Sequence, residues 1–98
     1  MTDASPVDWK VTATRVSKDE YEVNFNANIK EGYYIYSQFS KGSKGPMPTA
    51  FNIDGEGDRF KTIKRKEDGE SKIVKYDNHF KMTLTKFADQ ATFTKKLN

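Results

Sequence analysis

The sequence predicts an all-β domain, an antiparallel two-sheet β-sandwich of the immunoglobulin-like type. Three observations carry that reading. Apolar and polar residues alternate strictly from Tyr21 to Ile29, the period of a strand with one buried face. Turn-forming clusters recur at intervals of about 8–12 residues. No stretch places apolar residues at the 3.6-residue spacing of an amphipathic helix. A small closed barrel of the oligonucleotide-binding kind is the structural alternative.

Residues 1–8 read as a disordered N-terminal extension, since Met1-Thr2-Asp3-Ala4-Ser5 is polar and small. Residues 9–98 read as a single domain. Trp9, Val11 and Ala13 alternate with polar residues as a first strand, and the polar turn Ser17-Lys18-Asp19-Glu20 joins it as a hairpin to the second. There Tyr21, Val23, Phe25, Ala27 and Ile29 face one way, and Glu22, Asn24, Asn26 and Asn28 the other. Asparagine is a poor strand former, so burial of the opposite face has to hold this strand. Lys30-Glu31-Gly32 turns the chain into Tyr33-Tyr34-Ile35-Tyr36, where Tyr34 and Tyr36 share a face.

Residues 37–48 carry two glycines and two prolines and read as a loop or an edge. Thr49, Phe51 and Ile53 predict a short strand, closed by the turn Asp54-Gly55-Glu56-Gly57-Asp58. A further short strand is expected from Phe60 to Lys64, then a turn through Ser71. Ile73, Val74 and Tyr76 begin another extended piece, and Phe80, Met82 and Leu84 alternate over His79 to Lys86. Ala88-Asp89-Gln90 turns into a last strand with Ala91, Phe93 and Lys95 on one face and Thr92, Thr94 and Lys96 on the other.

Composition narrows the function classes. Charged residues make up 32% of the chain and hydrophobic ones 35%, yet seven Phe, five Tyr and one Trp are too many for a disordered chain. A net charge of +3 falls short of the concentrated basic footprint of a nucleic-acid binder. The absence of cysteine excludes disulfides, thiolate metal sites and thiol catalysis within these residues. No apolar run approaches the roughly 18 residues of a membrane span, so no membrane insertion by this domain is expected.

Chemistry-bearing constellations are few. His79 is the only histidine and offers no second imidazole for a metal site; a carboxylate such as Asp77 could share a metal with it, but no metal role is expected there. Serines cluster in turns without a nucleophile-elbow pattern, so no catalytic residue is assigned. Asp54, Glu56 and Asp58 superficially resemble a calcium loop but lack its distant bidentate glutamate, and read better as a solvated turn. Gly42-Ser43-Lys44-Gly45 fits no phosphate-binding motif. Lys61, Lys64, Arg65 and Lys66 read as an exposed edge strand guarded by charge, in preference to an acidic-partner site. Phe60 and Phe80 fit core packing better than a base-stacking platform. No cofactor and no metal are expected. Tyr34 and Tyr36 are the candidate binding residues: either buried tyrosines with satisfied hydroxyls, or the wall of a recognition surface.

The run Ile29-Lys30-Glu31-Gly32-Tyr33-Tyr34-Ile35-Tyr36-Ser37, together with Gly45-Pro46-Met47-Pro48-Thr49-Ala50-Phe51, resembles the amino-terminal domain of the bacterial thiol-disulfide interchange protein DsbD, the disulfide-bond corrector domain family. Trp9 and the closing Ala91-Thr92-Phe93-Thr94-Lys95-Lys96 also fit, whereas Arg59 to Ser71 matches weakly. The resemblance implies an immunoglobulin-like domain in the periplasm, in a parent anchored at the inner membrane. Redox-active members pass electrons to periplasmic thioredoxin-like proteins by thiol-disulfide exchange through a cysteine pair. By position, Tyr34 and Tyr36 match family tyrosines beside that pair.

This chain has no cysteine, and in the family the pair follows the strand resembling Ala91 to Leu97. The expected function is therefore a Cys-free, non-catalytic interaction or spacer module of a thiol-disulfide interchange (protein-disulfide reductase) system. Its expected partners are thioredoxin-like periplasmic proteins or other domains of the parent. Two alternatives stand beside it: a truncated fragment of an active oxidoreductase whose cysteines lie beyond Asn98, and a generic ligand-binding β-sandwich. The acidic-aromatic loop that caps the cysteines in some members has no match in Lys66 to Ser71.

Overall fold

A computed structural model describes residues 6–40 and 45–98. Its strands are β1 (Val7–Ser17), β2 (Glu20–Ile29), β3 (Ile35–Tyr36), β4 (Thr62–Asp68), β5 (Ser71–Asp77), β6 (Met82–Ala88) and β7 (Gln90–Leu97). They form two antiparallel sheets, ordered β1-β2-β7-β4 and β3-β6-β5, and no helix occurs among the described residues. The architecture is all-β and sandwich-like.

β1 and β2 form the expected hairpin, with Val11 opposite Phe25 and Ala13 opposite Val23. β1 starts earlier than predicted: Val7 pairs with Ile29 and Asp8 with Asn28, so the last residues assigned to the N-terminal extension belong to the sheet. The sequence signal missed this because Val7-Asp8 precedes the clear alternation, and β2 supplies the template that extends the pairing. Residues 1–5 of that extension lie outside the described residues.

The second half of the chain is one long hairpin folded over on itself. Asp68 of β4 lies opposite Thr92 of β7, and just past the corner Ser71 of β5 lies opposite Ala88 of β6. Both arms thus leave one sheet and enter the other side by side, at Gly69 and at Asp89. Asp89 takes a left-handed backbone, φ 61°, and its carboxylate accepts the Ser71 hydroxyl at 2.6 Å. Strands that switch sheets at a bend are a known way of building a corner.

This bend sets the strand order. In the constant-type immunoglobulin arrangement the fifth strand lies between the second and the fourth. Here the seventh takes that place, and the fifth joins the third and sixth.

At the corner Gly69 is required for space, not for an unusual φ. A Cβ there would sit 2.7 Å from the carbonyl oxygen of Gln90 and 2.8 Å from Cδ1 of buried Phe87. Gly69→Ala is therefore expected to destabilise the protein by about 1–3 kcal/mol, as overpacking does. Chemical denaturation checks this, with Gly32→Ala as the contrast: Gly32 has φ +88°, but a Cβ added there would meet nothing within 4 Å, so only backbone strain operates.

The core is shared between the sheets. Phe25, Ala27 and Ile29 from β2, Ala91 and Phe93 from β7, and Phe87 from β6 form one buried cluster, with Val7, Val23, Ile35, Phe51 and Ile53 against it. Phe87 and Phe93 meet edge-on across the two layers, centroids 5.5 Å apart. On the outer face the asparagines of β2 are paired rather than merely tolerated. Asn24 accepts from Thr94 at 2.7 Å, Asn26 from Thr92 at 2.9 Å, and Asn28 from Gln90 at 3.2 Å. Side-chain hydrogen bonds of this kind offset asparagine's poor strand propensity.

Several predicted strands are redrawn. Thr49 to Ile53 is not a strand. Phe51 instead stacks on Phe25 at 4.1 Å, and its carbonyl accepts from the Lys95 ammonium, so side-chain packing holds the segment without a ladder. The tyrosine run pairs only at Ile35 and Tyr36, because Tyr33 is still in a turn, its amide donating to the carbonyl of Lys30 at 3.0 Å. β4 runs from Thr62 to Asp68 rather than Phe60 to Lys64: its charges sit on a sheet edge where both faces need not be apolar. Phe60 belongs instead to the tight turn that begins at Gly55. β6 begins at Met82, three residues later than expected at His79, because Asp77 caps the preceding turn.

Candidate functional site

β3 is an edge strand of the smaller sheet; it contains Tyr36, and Tyr34 lies in the approach to it, one residue before Ile35. Tyr36 lies directly opposite Lys86 of β6. The Lys86 ammonium reaches back over the ring of Tyr34, 4.2 Å from its centroid, a cation–π contact. Lys86 therefore links the two tyrosines, one through strand pairing and the other through its side chain. Tyr34 remains 48% exposed while Tyr36 is half-buried. The carbonyl of Tyr36 accepts from the Thr49 hydroxyl at 2.6 Å, which ties β3 to the segment leading to Phe51.

Beyond Tyr36 the chain crosses to β4. Ser37 and Gln38 are buried, and both are held by one carboxylate: Glu67 accepts from the Ser37 hydroxyl at 2.5 Å and from the Gln38 amide at 2.9 Å. The Gln38 side chain donates to the carbonyl of Lys66 at 2.7 Å. Arg65 sits over the ring of exposed Phe39, 5.0 Å from its centroid. The surface from Tyr34 to Phe39 thus presents two aromatic rings, Tyr34 and Phe39, each steadied by a cation from a neighbouring strand. Such rings offer apolar area at low conformational cost and are suited to protein recognition.

The other sequence candidates separate from this surface. His79 is exposed, stacks edge-on against Phe80 at 5.0 Å, and donates its backbone amide to Asp77 at 2.8 Å. Asp77 also accepts the amide of Phe80 at 2.9 Å, and these bonds, Phe80 first, hold its carboxyl below the usual 3.8. No group of three metal-ligating side chains occurs among the described residues. Of the phosphate-cradle candidate at residues 42–45, residues 42–44 lie outside them. The basic run Lys64-Arg65-Lys66 is an edge strand, in keeping with the charge-guard reading.

Asp54 and Asp58 are exposed, as a solvated turn requires, and Glu56 alone departs from that reading. Its carboxylate turns inward to the Lys95 ammonium at 2.9 Å and accepts the Thr62 hydroxyl at 2.5 Å. Lys95 is 7% exposed and projects from the inner face of β7, on the same side as Phe93 but carrying a charge. Thr62 first, then Lys95, hold the Glu56 carboxyl below its ordinary 4.5. This is a structural ion pair with both partners satisfied, not a ligand site. Lys86, Glu67 and Lys95 were missed as participants because each acts on a residue of a distant segment, for which a single sequence holds no signal.

No family model, no curated protein and no solved structure matches this chain.

Proposed function

We propose that this chain is a Cys-free, non-catalytic interaction module of a periplasmic thiol-disulfide interchange system. In this reading it is an immunoglobulin-like sandwich with a variant strand order, akin to disulfide-bond corrector domains. Its partners are thioredoxin-like proteins or other domains of its parent, and the surface around Tyr34, Tyr36 and Lys86 meets them. The observation that carries the reading is the half-exposed ring of Tyr34 beneath the Lys86 ammonium, at the position where the resemblance places a recognition wall. The chain supplies no sulfur nucleophile, so any disulfide exchange belongs to the partner.

The test is an affinity measurement against a thioredoxin-like domain by calorimetry. Tyr34→Ala and Lys86→Glu are each expected to weaken binding about ten-fold or more, as truncation of an interface anchor does. His79→Ala, on a turn between β5 and β6, should leave it unchanged. Equal affinity of the Tyr34 and Lys86 variants and the unsubstituted chain would remove this surface from the proposed role.

A further inference from the structure

An edge strand presents unpaired N–H and C=O groups and is where a β protein is open to another chain. β1 and β4 are the two edges of the larger sheet. β4 is guarded: five of its seven residues, Lys64 to Asp68, are charged, and a register shift between Thr62 and Lys64 interrupts its ladder. β1 has no such guard. It is 11 residues long, carries only Asp8, Lys10 and Arg15 as charges, and pairs with β2 without interruption from Val7 to Arg15.

The backbone of β1 is oriented for strand addition. The amide of Lys30 donates to the carbonyl of Pro6, while that of Ile29 donates away from β1, to the carbonyl of Asp89. Alternation along the antiparallel ladder then turns the N–H and C=O groups of Trp9, Val11 and Ala13 toward the edge that no strand among the described residues covers. The side chains beside them match. Trp9 is 43% and Val11 56% exposed, and they border a shallow cavity of about 280 Å³ shared with Phe25 and Phe51.

We infer that β1 is a self-association edge, to which a second copy of this chain adds its own β1, antiparallel, about a two-fold axis at Val11. Val11 is the midpoint of the uninterrupted segment from Val7 to Arg15. In that register Trp9 faces the second copy's Ala13, Lys10 its Thr12, and Asp8 its Thr14. Large meets small on the inner face, and no like charges meet on the outer one. An axis at Lys10 would oppose two ammonium groups. One at Thr12 would carry the ladder into the register shift between Arg15 and Ser17. The alignment also sets the second copy's Val11 and Ala13 beside the Val11 and Trp9 that border the groove.

Sedimentation velocity of the full chain from micromolar to millimolar concentration reads the association directly, and a concentration-dependent dimer is expected. Val11→Lys, which sets two ammonium groups at the axis, should abolish the dimer while leaving the circular-dichroism spectrum of the monomer intact. Because the chain lacks cysteine, a single introduced thiol reports the register. Cα atoms of a hydrogen-bonded antiparallel pair lie about 5.5 Å apart, within disulfide reach. Val11→Cys should therefore oxidise to a covalent dimer, and Thr14→Cys, well off the axis, should not. A chain that stays monomeric at millimolar concentration overturns the inference. So does a dimer that survives Val11→Lys, or one that crosslinks through Thr14→Cys as readily as through Val11→Cys. Binding of an extended foreign peptide at β1 without a dimer would likewise assign the edge to another partner.

Discussion

Phe93→Ala is expected to cost about 3–5 kcal/mol, the usual range for truncating a fully buried aromatic. Phe93 has no exposed surface and touches Phe51, Phe87 and Trp9, with ring centroids at 5.4, 5.5 and 6.2 Å. Those rings come from both sheets and from the unpaired segment between them, so no single element can collapse into the vacancy. Against a total stability of about 5–15 kcal/mol for a small domain, the variant sits close to unfolding. Urea denaturation measures the loss. Pairing the change with Phe87→Ala should give a clearly non-additive double-mutant cycle, since the two rings join the layers. Additive costs would mean that the sheets hold separate cores.

Glu56→Ala carries the second large effect, about 2–4 kcal/mol, because it leaves the nearly buried Lys95 ammonium without its counter-charge, with the Phe51 carbonyl still accepting from it. Lys95→Met removes the charge along with its partner's role and is expected to cost clearly less, since an apolar side chain of similar length fits the inner face of β7. The pair also predicts an acid dependence. The folded Glu56 carboxyl titrates below 4.5, so its contribution is fully present above that pH and is lost as pH falls through the depressed folded value. Asp77 acts in the same direction at an exposed turn. Glu56→Gln keeps the size of the side chain and removes the titration. Its melting temperature should therefore fall less steeply than that of the unsubstituted chain as pH drops below 4.5. Identical acid profiles would show that the Thr62 and Lys95 contacts do not favour the charged Glu56 carboxylate in the folded state.

Local pattern made the first half of this fold readable. Strict alternation from Tyr21 to Ile29 placed Phe25, Ala27 and Ile29 in the core, and Ala91 and Phe93 followed by the same rule. The bent hairpin was not readable, because its corner depends on the space around Gly69, which only the neighbouring Gln90 and Phe87 define. β4 was expected as a charged edge strand but not its full extent to Asp68: an edge strand can be polar on both faces, which leaves no period to mark its end. The asparagines of β2 looked unfavourable because their acceptance of Thr92 and Thr94 spans 66 and 70 residues of sequence.

At the candidate site the same division holds. Tyr34 and Tyr36 could be named from the sequence, one at the surface and one half-buried. Lys86, which couples them, reaches Tyr34 from another strand and emerged only with the pairing of β3 to β6. Glu56 stood among three acidic residues of a turn, and nothing local distinguished the one that faces Lys95.

The proposed role is tested most directly by backbone chemical-shift mapping of the labelled chain titrated with a thioredoxin-like domain. Saturable shifts centred on Tyr34, Tyr36 and Lys86 are expected, and none there with small-molecule ligands. Shifts confined to other faces, or saturable binding of a small molecule at Tyr34 without any response to the thioredoxin-like domain, would contradict that role.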